Sequence, residues 1–166
     1  MANIKRFFPS KSPRWCADGF VVGSPVRNTL TTACYKRFYE RITYLLGFPL
    51  FLEDKYTLAI SSVGVAGGKK VNKQFVGLQD ICHTRLSDFI FCRVGIPTKI
   101  QPSDIQKRLE GAAEKLIGDI KNRCKRGLSN QISFKLQRTI MRKFIFEKNP
   151  EPYTFVIDRW KQKGYM

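Results

Sequence analysis

The reading of one stretch, YTLAISSVGVAGGKKVNKQFVGLQDICHTRLSDFIFCRVGI at residues 56–96, decides the fold. β-Branched and aromatic side chains punctuated by glycine fill it, and three runs, 56–66, 74–81 and 87–96, have the texture of strands. Gly67-Gly68 followed by Lys69-Lys70 reads as the turn of a hairpin joining the first two runs, with both lysines exposed at its tip. Strands joined by such a turn pair antiparallel. The stretch therefore predicts a small, mostly antiparallel sheet.

Upstream, residues 19–26 are β-prone. Asn28 then offers an N-cap to a helix over about 29–46, in which Leu30, Ala33, Cys34, Phe38, Ile42 and Leu45 recur at helical spacing before Gly47 and Pro49 end it. Downstream, Pro97 and Pro102 bracket a linker, and Ser103-Asp104-Ile105-Gln106 matches a capping box opening a helix over 103–126. Its apolar stripe is Ile105, Leu109, Ala112, Ala113, Leu116, Ile120 and Cys124. Residues 129–147 carry two patterns: Ile132, Phe134 and Leu136 alternate as in a strand, while Ile132, Leu136, Ile140 and Phe144 recur as in a helix. Strand is the reading adopted there, and again at 153–157. The chain thus reads as a single α+β domain, residues 16–158, with a mostly antiparallel sheet packed with two main helices. A flexible basic arm (1–15) and a basic tail (159–166) flank it.

The chain has 166 residues, 43% of them hydrophobic, enough for one core. Its 30 Lys and Arg against 13 Asp and Glu give a net charge of +17. Such imbalance opposes compaction, and the usual reason to keep it is an anionic partner: nucleic-acid phosphate or an anionic membrane surface. Five cysteines at irregular spacing, without a Cys-x-x-Cys pair, point to a reducing intracellular compartment, cytoplasm or nucleus, and not to secretion. The longest greasy stretch, 44–52, is broken by Gly47 and Pro49, so membrane contact would be peripheral.

Hydrolytic and metal chemistry usually lean on histidine, and His83 stands alone. It neighbours Cys82, yet adjacent strand residues point to opposite faces, so a structural role fits it better. Cys82, His83 and Cys92 lack the paired spacing of a zinc site, and residues 63–70 miss the phosphate-loop pattern at two positions, Val63 and Lys70. Glu53-Asp54 reads as a solvated loop pair. The sequence predicts no enzyme, no cofactor and no metal.

Cations supply the positive signals. Eleven Lys or Arg fall between Lys107 and Lys143 against Glu110, Glu114 and Asp119. Lys69, Lys70, Lys121, Arg123, Lys125, Arg126, Arg138, Arg142 and Lys143 are the predicted contacts to RNA or ribonucleoprotein. At the chain ends, Lys5-Arg6-Phe7-Phe8 and Trp160-Lys161-Gln162-Lys163 combine cations with insertable rings. Lys5, Arg6, Phe7, Phe8, Trp160, Lys161 and Lys163 are accordingly the predicted membrane or self-association residues.

The order of these features (basic arm, strand, helix, β-rich middle, second helix, closing β elements) resembles the matrix proteins of rhabdoviruses, particularly the short ones of plant-infecting members. The resemblance covers most of the chain and rests on length, charge and element order. It implies a non-enzymatic virion protein that bridges nucleocapsid RNA to the inner membrane leaflet and self-associates into homo-oligomers through its arm. Residues 9–13, Pro-Ser-Lys-Ser-Pro, depart from the proline-rich budding motif of many animal-virus members. The alternative from the residues is a nucleic-acid-binding viral accessory protein, an RNA-binding silencing suppressor or a small capsid protein.

Overall fold

Gly67-Gly68 opens a helix and does not turn a hairpin. The computed structural model describes residues 17–43, 47–64, 66–94, 102–125 and 127–166, and the arm residues Lys5, Arg6, Phe7 and Phe8 lie outside them. Its elements run β1 (Gly19–Pro25), α1 (Ala33–Ile42), β2 (Tyr56–Val63), α2 (Gly68–Cys82), β3 (Arg85–Arg93), α3 (Pro102–Lys121), α4 (Leu128–Ile140) and α5 (Thr154–Gln162). A π-helical turn, Met141–Phe146, extends α4.

The three strands lie in the order β1-β2-β3 and all pairs are parallel, Gly19 opposite Tyr56 and Tyr56 opposite Arg85. This corrects the mostly antiparallel α+β reading to an α/β one. Residues 74–81 form the second half of α2, because Val71, Phe75 and Cys82 bring one helical stripe to the sheet and are buried there. Parallel neighbours cannot be joined by a tight turn, so each connection carries a helix.

The helices make two outer layers. Tyr35, Tyr39 and Ile42 of α1 and Val71, Phe75 and Cys82 of α2 pack on one face of the sheet, against Phe20, Val22, Ala59, Leu86 and Phe89. Ile105, Leu109, Ala112 and Leu116 of α3 pack on the other, against Leu58, Ile60, Ile90 and Cys92. A bulge makes β3 fit: Thr57 pairs with Leu86 and Leu58 with Asp88, leaving Ser87 extra. Without it Leu86 and Phe89, three residues apart, would face opposite sides.

The second long helix falls close to its predicted span, but it begins at Pro102, and the Gln106 amide donates to Glu110 (2.8 Å) instead of capping. Both closing segments are helices, not strands. Leu50, Phe146, Val156, Ile157 and Trp160 form a separate core there. The Trp160 ring meets Phe146 edge-on at 5.0 Å, and its indole N–H donates to the Phe48 carbonyl (2.8 Å). Trp160 is 2% exposed, which corrects its assignment to a membrane-touching tail. Glu53 is also buried, salt-bridged to Lys163 and accepting from the Tyr165 hydroxyl (2.7 Å), so it is no solvated loop carboxylate. No helix among the described residues is long and apolar enough to cross a membrane.

Two predictions follow from this packing. Trp160→Ala should cost about 3–5 kcal/mol in urea denaturation; a loss below about 1 kcal/mol would contradict its place in the core. Burial pushes the Cys82 thiol from 9.0 up to about 12, and burial with the neighbouring Glu53 carboxylate pushes Tyr165 from 10.0 to about 12. The unfolded chain ionises both sooner, so their stabilisation is complete below pH 9.0 and is lost as pH rises toward 12. Tm should hold level up to pH 9.0 and fall through that window; a flat alkaline profile would contradict it.

Candidate functional site

In a parallel sheet every strand ends at the same edge, and ligands of open α/β folds bind just outside it. Here that edge is shaped by two segments. The first leaves β1 at Ser24-Pro25. Val26 extends the ladder by donating to Ser62 (2.7 Å), and Arg27 and Leu30 then exchange backbone hydrogen bonds of 2.8 and 2.9 Å across Asn28 and Thr29. Both central residues have positive φ, 47° and 65°. Asn tolerates that conformation, whereas a β-branched Thr is strained in it. Strain of this kind persists where surrounding structure enforces it, commonly at functional sites.

Hydroxyls fasten this segment down. The Thr32 amide donates to Ser24 Oγ (3.1 Å), Ser61 Oγ donates to the Ser24 carbonyl (3.0 Å), and Thr32 Oγ1 caps α1 by accepting from Tyr35 N (3.3 Å). The second segment is Gly67-Gly68. Gly67 has φ +101°, and a Cβ there would stand 2.4 Å from Thr29 Cα; a Cβ on Gly68 would stand 1.9 Å from the Phe91 ring. Only glycines let the start of α2 sit against both neighbours.

Between them opens a cleft of about 670 Å³, lined by Thr29, Gly67, Gly68, Lys70, Asn72, Phe89, Phe91 and Arg93, among others. The volume is that of a small-molecule site, typically about 300–1,000 Å³. Phe89 and Phe91 give it an aromatic wall, their centroids 6.3 Å apart. Lys70 and Arg93 stand exposed at its rim, with no carboxylate partner among the described residues. Asn72 Oδ1 is buried with no hydrogen-bond partner, an orphan acceptor that a ligand donor would satisfy. The Lys70 and Val71 amides donate to the Gly67 carbonyl (3.1 Å each), and the amides ahead of them at the start of α2 have no intrahelical acceptor, as at anion-binding helix starts.

The predicted site residues are distributed differently. Lys69 and Lys70 occupy the first turn of α2, not a hairpin tip. Lys121, Arg123 and Lys125 are exposed around the end of α3, and Arg126 lies outside the described residues. Arg138, Arg142 and Lys143 join Lys135 and Tyr165 around a second cavity of about 370 Å³. Lys161 is exposed and Lys163 is engaged with Glu53. His83 is buried at the end of α2, its ring 4.1 Å from that of Phe134. Sequence reasoning missed Thr29, Gly67, Gly68, Asn72, Phe89, Phe91 and Arg93. The signal available was Val71, Phe75 and Cys82 recurring at helical spacing directly after a glycine pair.

This architecture defines an α/β protein with a cationic, aromatic-walled cleft at the carboxyl edge of a parallel sheet. No protein-family model and no curated protein matches the sequence. Among solved structures, rubredoxin oxygen:oxidoreductase from the anaerobe Desulfovibrio gigas is similar in fold, with a TM-score of 0.52 and 17% identity over 64% of this chain. The chain spans 24% of that protein's length. A WrbA-like flavodoxin from Agrobacterium tumefaciens aligns with a TM-score of 0.48 and 16% identity, over 62% of this chain and 67% of its own. A flavone reductase aligns at 0.46 and 13%, over 74% and 42%.

The parallel sheet and the likeness to the oxidoreductase overturn the resemblance to rhabdovirus matrix proteins. With it fall the virion role, the bridging of RNA to membrane, and the alternative of an RNA-binding suppressor or capsid protein. The expectation of a non-enzyme falls too, since it rested on a shortage of histidine and this fold carries an oxidoreductase in its relative.

The glycine pair yields a direct test. Gly67→Ala should destabilise the protein by at least about 1–3 kcal/mol, because positive φ and a backbone clash coincide. Gly64→Ala, where a Cβ meets nothing within 4 Å, should stay within about 0.5 kcal/mol. Equal denaturation midpoints for the two variants would contradict the close approach of Gly67 to Thr29.

Proposed function

We propose that this chain is a flavin-binding redox protein whose carboxyl-edge cleft holds a phosphorylated flavin of the flavin mononucleotide type. One observation carries the reading: a glycine-opened helix start, two cations without a carboxylate partner among the described residues and an aromatic wall converge in one cleft at the edge where α/β folds take nucleotides. The fold shared with an oxidoreductase and the flavodoxin among the structures that align agree with it.

The residues present suit such a group. Lys70 and Arg93 oppose a phosphate's charge, and the amides at the start of α2 add donors without charge. Phe89 and Phe91 offer apolar ring faces to a planar heterocycle and exclude water from it. Asn72 Oδ1 awaits a donor from a ring imide or a sugar-chain hydroxyl. A bound flavin supplies electron transfer in one- or two-electron steps. The protein needs no histidine for that, and its contribution is binding, orientation and electrostatics. An intracellular, reducing location accompanies this reading; Cys34, Cys82, Cys92 and Cys124 are free thiols.

Calorimetric titration tests it. Flavin mononucleotide should bind with Kd in the micromolar range or tighter, and riboflavin, lacking the phosphate, about 10-fold or more weakly. Lys70→Gln/Arg93→Gln should remove most of that difference while leaving riboflavin binding unchanged. No binding of either compound, or equal affinity for both, would overturn the assignment.

A further inference from the structure

The second cavity, between α4 and the C-terminal turn, is not absorbed by a flavin site. Lys135, Arg138 and Arg142 lie at i, i+3 and i+7, so they share one helix face, and Lys143 joins them around about 370 Å³. Among the described residues one carboxylate is paired with these four cations: Glu147 accepts from Arg142 Nε at 3.1 Å. Glu53, which accepts from the Tyr165 hydroxyl, is already paired with Lys163. Like charges crowded on one turn oppose each other, and a solvated basic face would relieve this by letting its side chains splay.

Arg138 is instead fixed. Its guanidinium lies 4.5 Å from the Phe134 ring centroid and 4.0 Å from that of Tyr165, stacked on both. Its Nε is buried without a hydrogen-bond partner. Gly164, at φ +72°, makes the turn that presents Tyr165 to it. The helix also departs from α geometry directly after Ile140, where the π-helical turn carries Arg142 and Lys143, and such insertions recur at functional sites.

We propose that this cavity is a binding site for a multiply charged phosphate anion of the diphosphate type, with Arg138 as its preorganised fork and Lys135, Arg142 and Lys143 as its charged wall. The chemistry is a phosphate group with at least two negative charges, whether free in solution or on a lipid headgroup. It is independent of the flavin cleft, which has its own cations.

Differential scanning fluorimetry with inorganic pyrophosphate, at ionic strength held constant with NaCl, tests the proposal on the full chain. Pyrophosphate should raise Tm saturably in the parent and in Arg93→Gln. Arg142→Gln/Lys143→Gln, both exposed, should keep the parent Tm in NaCl and weaken the pyrophosphate response about 10-fold or more. Arg138→Lys, which keeps charge but loses the stacked fork, should weaken it as well. Co-sedimentation with phosphatidic acid vesicles, against phosphatidylcholine vesicles, separates the sources: capture lost in the double variant, without a pyrophosphate response, assigns the site to headgroups. A Tm rise that NaCl alone reproduces, or that persists undiminished in the double variant, overturns the proposal, as does the absence of both responses.

Discussion

β2 is hydrogen-bonded in parallel on both edges, and six of its eight residues are buried, on both faces of the sheet. This arrangement constrains what surrounds it. Both of its connections must cross over through helices, and those helices must cover the sheet because β2 leaves no face to water. Parallel alignment also places the ends of β1, β2 and β3 at one edge. Thr29 after β1, Gly67-Gly68 after β2 and Arg93 at the end of β3 meet there for that reason, and the cleft follows from the pairing.

The C-terminal third depends on a different set of long-range contacts. The segment after α1 gives Leu50 and the Phe48 carbonyl to Trp160, and Glu53 to Lys163 and Tyr165. These bonds join residues 110 to 112 positions apart and hold α5 and the final turn in place. Tyr165 so held stacks on Arg138 and links this core to the cationic cavity. The net charge of +17 is thereby partly localised: two cations rim the cleft and four surround the cavity.

Local patterns in the sequence revealed much of this fold. β1, the strands at 56 and 87 and the helix near 103 follow from periodicity and punctuation, whereas the helix expected from 29 begins only at Ala33, capped by Thr32 and not by Asn28, which turns with Thr29 ahead of it. Pairing direction did not follow, because Gly67-Gly68 suits a hairpin turn and the start of a helix equally, and a short apolar run such as 74–81 fits either element. At 129–147 the alternation that suggested a strand comes from Phe134 turning inward onto His83 while Ile132 and Leu136 stay exposed on a helix. Trp160 and Glu53 could not be placed from their neighbours in sequence, since their partners lie more than a hundred residues away. The candidate site was hidden for the same reason: its residues come from the loop after β1, the start of α2 and the end of β3, which only the parallel sheet brings together. A scarcity of histidine weighed against hydrolytic and metal chemistry, but the proposed flavin-binding role would borrow its chemistry from a cofactor and so escapes that test.

The central claim is that the aligned strand ends build the ligand site. A titration of the ¹⁵N-labelled chain with flavin mononucleotide, followed by amide chemical shifts, tests it residue by residue. The account predicts saturable shifts centred on Thr29, Gly67, Gly68, Asn72, Phe89 and Phe91, with the amides of α5 unmoved. Shifts centred on α3 or α5 with the strand ends silent would contradict it.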